Sequence, residues 1–125
     1  MTHRVLPLLA LVLPLTATST DWPQFLGAQR DGMSPENVVA QWPADANPPV
    51  LWRFAVGNGF SAVSIDGGVA YSMGADDTNE YAVAIDAITG EERWRHVLDL
   101  VYKDGMGGNG PRSTPTVLDD LVVVF

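Results

Sequence analysis

Ala84-Ile85-Asp86-Ala87-Ile88-Thr89-Gly90-Glu91-Glu92-Arg93-Trp94 decides how the rest of the chain is read. An apolar stretch, a short polar stretch ending on glycine and a second stretch ending on tryptophan make a strand, a tight turn and a second strand. Asp86 closes the first strand, where a carboxylate accepts backbone N–H groups from the turn. Gly90 supplies the left-handed conformation that ends such a loop, and Thr89 adds a hydroxyl. Ala84 is small where a larger side chain would hold neighbouring sheets apart. Trp94 offers a broad flat face with one N–H donor for packing between those sheets. These are docking roles rather than reaction roles.

Working outward, short β-rich runs alternate with turn signals from residue 50 onward. The predicted strands are 51–56, 61–65, 69–73, 81–86, 93–98, 116–118 and 121–125. Asp66-Gly67-Gly68 is a hairpin signal because Asp and Gly accept the positive φ that tight hairpins demand, and Asp119-Asp120 plays the same part further on. No segment after Pro49 sustains a 3.6-residue period, so helix is expected to be scarce.

The pattern repeats. Trp52-Arg53 stands 42 residues before Trp94-Arg95, about the length of one four-stranded propeller blade. Ser61-Ala62-Val63-Ser64-Ile65 with Val69-Ala70-Tyr71 is echoed by Ser113-Thr114-Pro115-Thr116-Val117 with Leu121-Val122-Val123, at an offset of 52. The additional residues fall in the glycine-rich loop between Trp94 and Ser113. A sandwich would use the same strands but would not need tryptophan at a blade-length interval.

On these residues the chain resembles the pyrroloquinoline-quinone (PQQ) type of β-propeller repeat, whose pattern Ala-x-Asp-x-x-Thr-Gly-x-x-x-Trp is complete at Ala84, Asp86, Thr89, Gly90 and Trp94. The segments Val69-Ala70-Tyr71 and Tyr81-Ala82-Val83 resemble the family's inner strands. The opening Asp21-Trp22-Pro23-Gln24-Phe25-Leu26-Gly27, followed by Arg30-Asp31-Gly32, is similar to the mature start of secreted proteins of this kind. The resemblance implies an all-β fold, a β-propeller of four-stranded antiparallel blades of which residues 50–125 supply only the first one to two. It implies that the tryptophan docks on the neighbouring blade. A closed propeller takes at least about four blades of some 40 residues each, so the chain is expected to be the start of a longer protein. The strand at 51–56 is then expected to complete the last blade of the ring.

Ahead of this region, residues 1–19 read as a secretory signal. His3 and Arg4 form a positive start, Val5 to Leu15 is an apolar run of eleven broken by Pro7 and Pro14, and Ala17-Thr18-Ser19 offers small residues for cleavage. The run is shorter than the roughly 20 residues a spanning helix needs, so no membrane span is expected in the mature chain. The expected location is periplasmic or extracellular. Residues 20–49 carry turn formers without apolar periodicity and read as an extended surface segment. Trp22, Phe25, Leu26, Val38, Val39 and Trp42 are its candidates for pinning onto a larger body.

Composition narrows function further. The chain of 125 residues is 46% hydrophobic and 18% charged, an ordinary globular balance. Its net charge of -8, with only 7 Lys and Arg, argues against a nucleic-acid partner. It contains no Cys, which excludes disulfides, thiolate metal sites and a cysteine nucleophile within this stretch.

Candidate chemistry is sparse. Asn109 and Arg112, in the loop from Tyr102 to Ser113, are the candidates for holding a cofactor or an anionic ligand. Anchoring of the loop is their plainer role. Gly107-Gly108-Asn109-Gly110 lacks the following helix with Lys and Ser or Thr that a phosphate cradle uses. Asp76, Asp77 and Glu80 match no calcium-loop spacing and read as a solvated hairpin tip. His96 has no orienting partner in the sequence, and Ser61 and Ser113 lack the context of a nucleophile. No catalytic residue and no metal ligand is assigned.

The reading is an exported, non-catalytic binding or scaffold module that holds a protein partner or small ligand on the propeller face. Two alternatives stand beside it. One is the N-terminal part of a quinoprotein dehydrogenase for alcohols or sugars, which would hold PQQ and calcium. The other is a relative of the outer-membrane assembly propeller, a lipoprotein, against which the absence of Cys after the signal counts.

Overall fold

The computed structural model describes residues 20–36 and 47–125. The expected signal at 1–19, and Val38, Val39 and Trp42, lie outside the described residues. Among the described residues there are six strands, β1 (Ser64–Asp66), β2 (Val69–Ala75), β3 (Asn79–Asp86), β4 (Glu92–Leu100), β5 (Thr116–Leu118) and β6 (Leu121–Val123). No helix occurs among the described residues. The fold is all-β, and among the described residues no helix is long and apolar enough to cross a membrane.

β1 to β4 form an antiparallel meander in sequence order, and β5 with β6 forms a separate two-stranded sheet. The tight turn at Gly67 and Gly68 sets the register Asp66↔Val69, with both glycines at positive φ as such a two-residue hairpin requires. β2 and β3 then pair from Val69↔Asp86 to Ala75↔Glu80. β3 and β4 pair from Asn79↔Leu100 to Ile85↔Glu92, with register shifts at Glu80/Tyr81 and Ala84/Ile85. In the second sheet the turn at Asp119-Asp120 places Asp119 at a φ of 50° and joins Leu118 to Leu121.

Strand alternation divides the meander into two faces. Ala70, Tyr81, Val83 and Ile85 make the core of the first, where Trp52, Phe54 and Val56 pack on it. On the second face Met73, Ala82 and Ala84 are buried. There Tyr71 and Trp94 approach to 6.0 Å between ring centres, and the Ser113 hydroxyl reaches the Met73 thioether at 3.3 Å. The sheets meet at β1 and β5, and the Ser64 hydroxyl donates to the Pro115 carbonyl at 2.5 Å in a fully buried contact. They stand side by side without closing into a ring.

The segments ahead of the sheet differ in detail from simple strands and extended chain. Residues 51–56 join no ladder. Their alternation is real, with 52, 54 and 56 half-buried and 51, 53 and 55 more exposed or turned away from the core. The segment lies across the face of the meander and uses side chains rather than backbone pairing. Its backbone touches the sheet at few points, with the Val56 carbonyl accepting from the Tyr81 hydroxyl at 2.8 Å. Just beyond it, Asn58 exchanges two backbone hydrogen bonds with Ala75, at 2.9 and 2.8 Å.

Among the described residues of the N-terminal segment, Trp22 forms a strand-like bridge to the first sheet. From Gln24 the segment coils through successive turns, closed by Gly27 N–H to Gln24 O at 2.9 Å and Gly32 N–H to Leu26 O at 3.0 Å. Trp22 pairs with the free edge of β1, exchanging hydrogen bonds with Ile65 at 2.7 and 2.8 Å, and the Pro23 carbonyl accepts from Val117 N–H at 2.8 Å. The pinning is therefore a backbone interaction with both sheets.

Close approach of the 52–56 segment needs a missing side chain at Gly74, where a Cβ would sit 1.7 Å from the Val56 carbonyl oxygen. Gly74→Ala is expected to lower the unfolding free energy by about 2–3 kcal/mol, since a backbone atom has to move to admit the methyl group. Gly105→Ala, at a position with no atom within 4 Å, serves as the silent control. Urea denaturation measures both, and equal midpoints for the two variants would contradict the packing described.

Candidate functional site

Three places combine turn geometry with charge or aromatic surface, and each is built by hydrogen bonding. In the Ala84 to Trp94 stretch, Asp86 ends β3 and its Oδ1 accepts from Ile88 N–H at 3.0 Å and Thr89 N–H at 2.9 Å. Its Oδ2 accepts from Arg93 at 2.7 Å. The backbone closes around it, with Gly90 N–H to Asp86 O and Asp86 N–H to Glu91 O both at 2.8 Å. Thr89 Oγ1 accepts from Glu91 N–H at 3.3 Å. The Arg93 guanidinium and the two turn amides hold the Asp86 carboxyl far below the ordinary carboxylate range.

That turn is a docking surface. Gly90 has a φ of 76°, and a Cβ built there would lie 2.6 Å from the Trp52 indole, so both backbone and space call for glycine. The indole lies against Gly90 and donates its N–H to the Ala87 carbonyl at 3.1 Å. Trp94, the equivalent residue 42 positions later, behaves otherwise. It stands on the edge strand β4 opposite the fully buried Ala84, touches Tyr71, and is 40% exposed. Among the described residues no glycine-ended turn receives it. Trp52 is thus the indole seated on this turn, whereas Trp94, the residue expected to dock, stays partly exposed beside Tyr71.

The glycine-rich loop is the second place. Arg112 donates to Asp104 Oδ2 at 2.9 Å and to the Gly108 carbonyl at 3.0 Å. Its guanidinium carbon lies 5.1 Å from the Phe60 ring centre and 5.7 Å from that of Tyr102. Asn109 Oδ1 accepts from Asp104 N–H at 3.2 Å, and Gly110 N–H donates to Tyr102 O at 3.0 Å. Backbone bonds from Met106 and Gly107, with Arg112 beside them, lower the Asp104 pKa. Both ligand candidates, Asn109 and Arg112, are engaged in fixing the loop. Arg112 also borders two open clefts of about 600 and 670 Å³, with Ser113 and Phe125 common to both. Met73, Glu80 and Leu98 line the first, and Gln24, Phe25 and Arg30 line the second. A partly neutralised planar cation between aromatic rings suits recognition of a flat or anionic group more than proton transfer.

The hairpin tip is the third. Asp76 Oδ1 accepts from Thr78 N–H at 2.7 Å and Asn79 N–H at 2.8 Å, and these bonds lower its pKa. Glu80 Oε1 accepts from Tyr102 N–H at 2.8 Å. Asp76 thus closes its own turn and Glu80 ties β3 to the segment after β4, and no group of three metal-capable side chains occurs among the described residues. His96 stands on the exposed strand β4 opposite Ala82. Ser61 Oγ accepts from Met73 N–H at 3.2 Å and donates to Ala62 O at 2.9 Å, while Ser113 reaches Met73 and the Phe125 carbonyl. Both hydroxyls serve packing of the strand entries.

Asp86 has a lower pKa folded than unfolded, so its contribution to stability is complete above about pH 4 and is lost as pH falls below that. Asp86→Asn is expected to lower the urea midpoint strongly at about pH 7 and clearly less at about pH 2, where the unfolded carboxyl is already protonated while the folded one still keeps most of its charge. An equal loss at both pH values would show that the carboxylate charge does not hold the turn. No family model matches the sequence, and no curated protein or solved structure matches it.

Proposed function

We propose that this chain contributes one four-stranded blade and the first two strands of the next to an exported PQQ-type β-propeller that works as a non-catalytic binding scaffold. The observation that carries the reading is the Trp52 indole lodged on Gly90 with its N–H on the Ala87 carbonyl. It is a contact between one extended segment and the turn of a separate sheet, which is how successive blades would be joined. Trp94 has the same position in the sequence pattern and an exposed face, suited to the turn of a following repeat. The meander order of β1 to β4, with β1 and β5 as the adjoining first strands of successive sheets, agrees with blades arranged about an axis. In this reading residues 51–56 are the outer strand of the preceding blade, in keeping with their packing across the first face.

A scaffold is favoured over a quinoprotein dehydrogenase by two features. The edge of β1, which would face the axis of the ring, is taken by Trp22, and Pro23 bonds to Val117 in β5. The polar groups of the glycine-rich loop are spent on one another. Binding would then fall to the loop face around Arg112, Phe60 and Tyr102, with a protein segment or small ligand as occupant.

Mixing the intact natural protein with pyrroloquinoline quinone and calcium tests this choice. The scaffold reading expects no quinone retained after gel filtration and no dye reduction with alcohols or sugars. Retained quinone with substrate-dependent dye reduction would replace it by the dehydrogenase.

A further inference from the structure

The start of the described chain is a strap laid across both sheets. Trp22 exchanges two hydrogen bonds with Ile65 at the edge of β1, Asp21 Oδ1 accepts from Gly67 N–H at 3.1 Å, and Pro23 O accepts from Val117 N–H in β5. One residue before this strap, Thr20 N–H donates to Glu36 Oε1 at 2.5 Å. Glu36 is presented by two side-chain-capped turns, Asp31 Oδ1 accepting from Met33 N–H at 2.9 Å and Ser34 Oγ from Glu36 N–H at 3.3 Å. The carboxylate thus waits at the nitrogen that follows Ser19, the residue after which the signal is expected to be cut.

We propose that the chain's own N-terminal ammonium, made when the leader is removed, is a structural ligand of Glu36 and locks the strap over the two sheets. The inference rests on the export reading. An endopeptidase hydrolyses the Ser19–Thr20 bond. Water adds across it, the C–N bond breaks, Ser19 leaves as a carboxylate and Thr20 N takes up protons to become an ammonium. A neutral amide donor next to Glu36 becomes a cation with three N–H donors at the same place, and a hydrogen bond becomes an ion pair. Both groups are exposed, so the gain is that of a surface pair, about two- to fivefold in the closing equilibrium at low salt. It acts on the strap because Thr20 is the residue next to Asp21, whose bond to Gly67 begins it. Removal of the leader would therefore be sensed where β1 and β5 adjoin.

The test compares four proteins prepared in vitro: the chain with its leader, the chain beginning at Thr20, the same chain N-acetylated, and the chain beginning at Thr20 with Glu36→Gln. Hydrogen exchange of the Trp22, Ile65, Gly67 and Val117 amides reads strap opening. Exchange is expected to be about two- to fivefold slower in the free-amine chain than in the other three, with the difference closing at high salt. Acetylation keeps an N–H donor and Gln keeps an acceptor, so the comparison isolates charge. Equal exchange in the free-amine and acetylated chains would overturn the proposal, as would a Glu36→Gln chain that exchanges like the free amine. N-terminal sequencing of the protein exported by a bacterial host tests the reading beneath it separately. A mature start at Thr20 supports both, and any other start removes the lock from the natural protein whatever the exchange shows.

Discussion

The contact between the Trp52 indole and the turn from Asp86 to Gly90 is the constraint on which the rest of the structure depends. It is possible only because residue 90 has no side chain and the turn is held at one height above the sheet. Asp86 sets that height by taking two turn amides and Arg93 at once, while the Gly90 N–H returns to the Asp86 carbonyl. The turn thus offers a flat glycine face beside an unused carbonyl oxygen on Ala87. An indole has a matching shape, an apolar plate with one donor at its edge. Once Trp52 is seated, Phe54 and Val56 follow at every second position and cover Tyr81, Val83 and Ile85.

Burial on both faces explains the composition of the central strands. Val83 and Ala84 are adjacent and both are fully buried, which a sheet with one wet face does not allow. The first looks toward the 52–56 segment and the second toward Trp94 and Tyr71. β4 is the contrast, exposed along nearly all its length and carrying Trp94, Val97 and Leu100 outward. The sheet is thus covered over its central strands and still open along β4 and its outer edge. The strap at Trp22 addresses the opposite edge, where it occupies backbone groups of β1 that would otherwise be free.

Much of this was legible from residue order. The β-runs at 69–73, 81–86 and 93–98 lie within β2, β3 and β4, which extend further because laddered pairing carries each strand beyond its apolar centre. Gly67, Gly68 and Asp119 mark their hairpins through the positive φ they adopt. The alternation at 51–56 told that one face is buried but not what buries it, because period-two patterning is the same for a laddered strand and for a segment laid across a sheet. The candidate residues follow the same division. Asp86 and Gly90 act within a few residues of themselves and could be read locally. The partners of Arg112, by contrast, include Phe60, and those of Trp52 include Ala87, contacts between residues far apart in the chain that composition does not encode. Asp21, Trp22 and Pro23 show the limit most clearly, since their turn-forming character conceals a role in joining two sheets.

The most direct test of the central contact is hydrogen exchange at the tryptophan indole N–H groups, followed by nuclear magnetic resonance. A donor seated on the Ala87 carbonyl exchanges only when the 52–56 segment lifts from the sheet, whereas the indole of Trp94 on the outer strand has no such shelter. The account predicts a slowly exchanging Trp52 indole N–H, a fast one at Trp94, and loss of the slow signal in Gly90→Ala. A Trp52 indole that exchanges at the solvent rate while the β2 and β3 amides remain protected would contradict it.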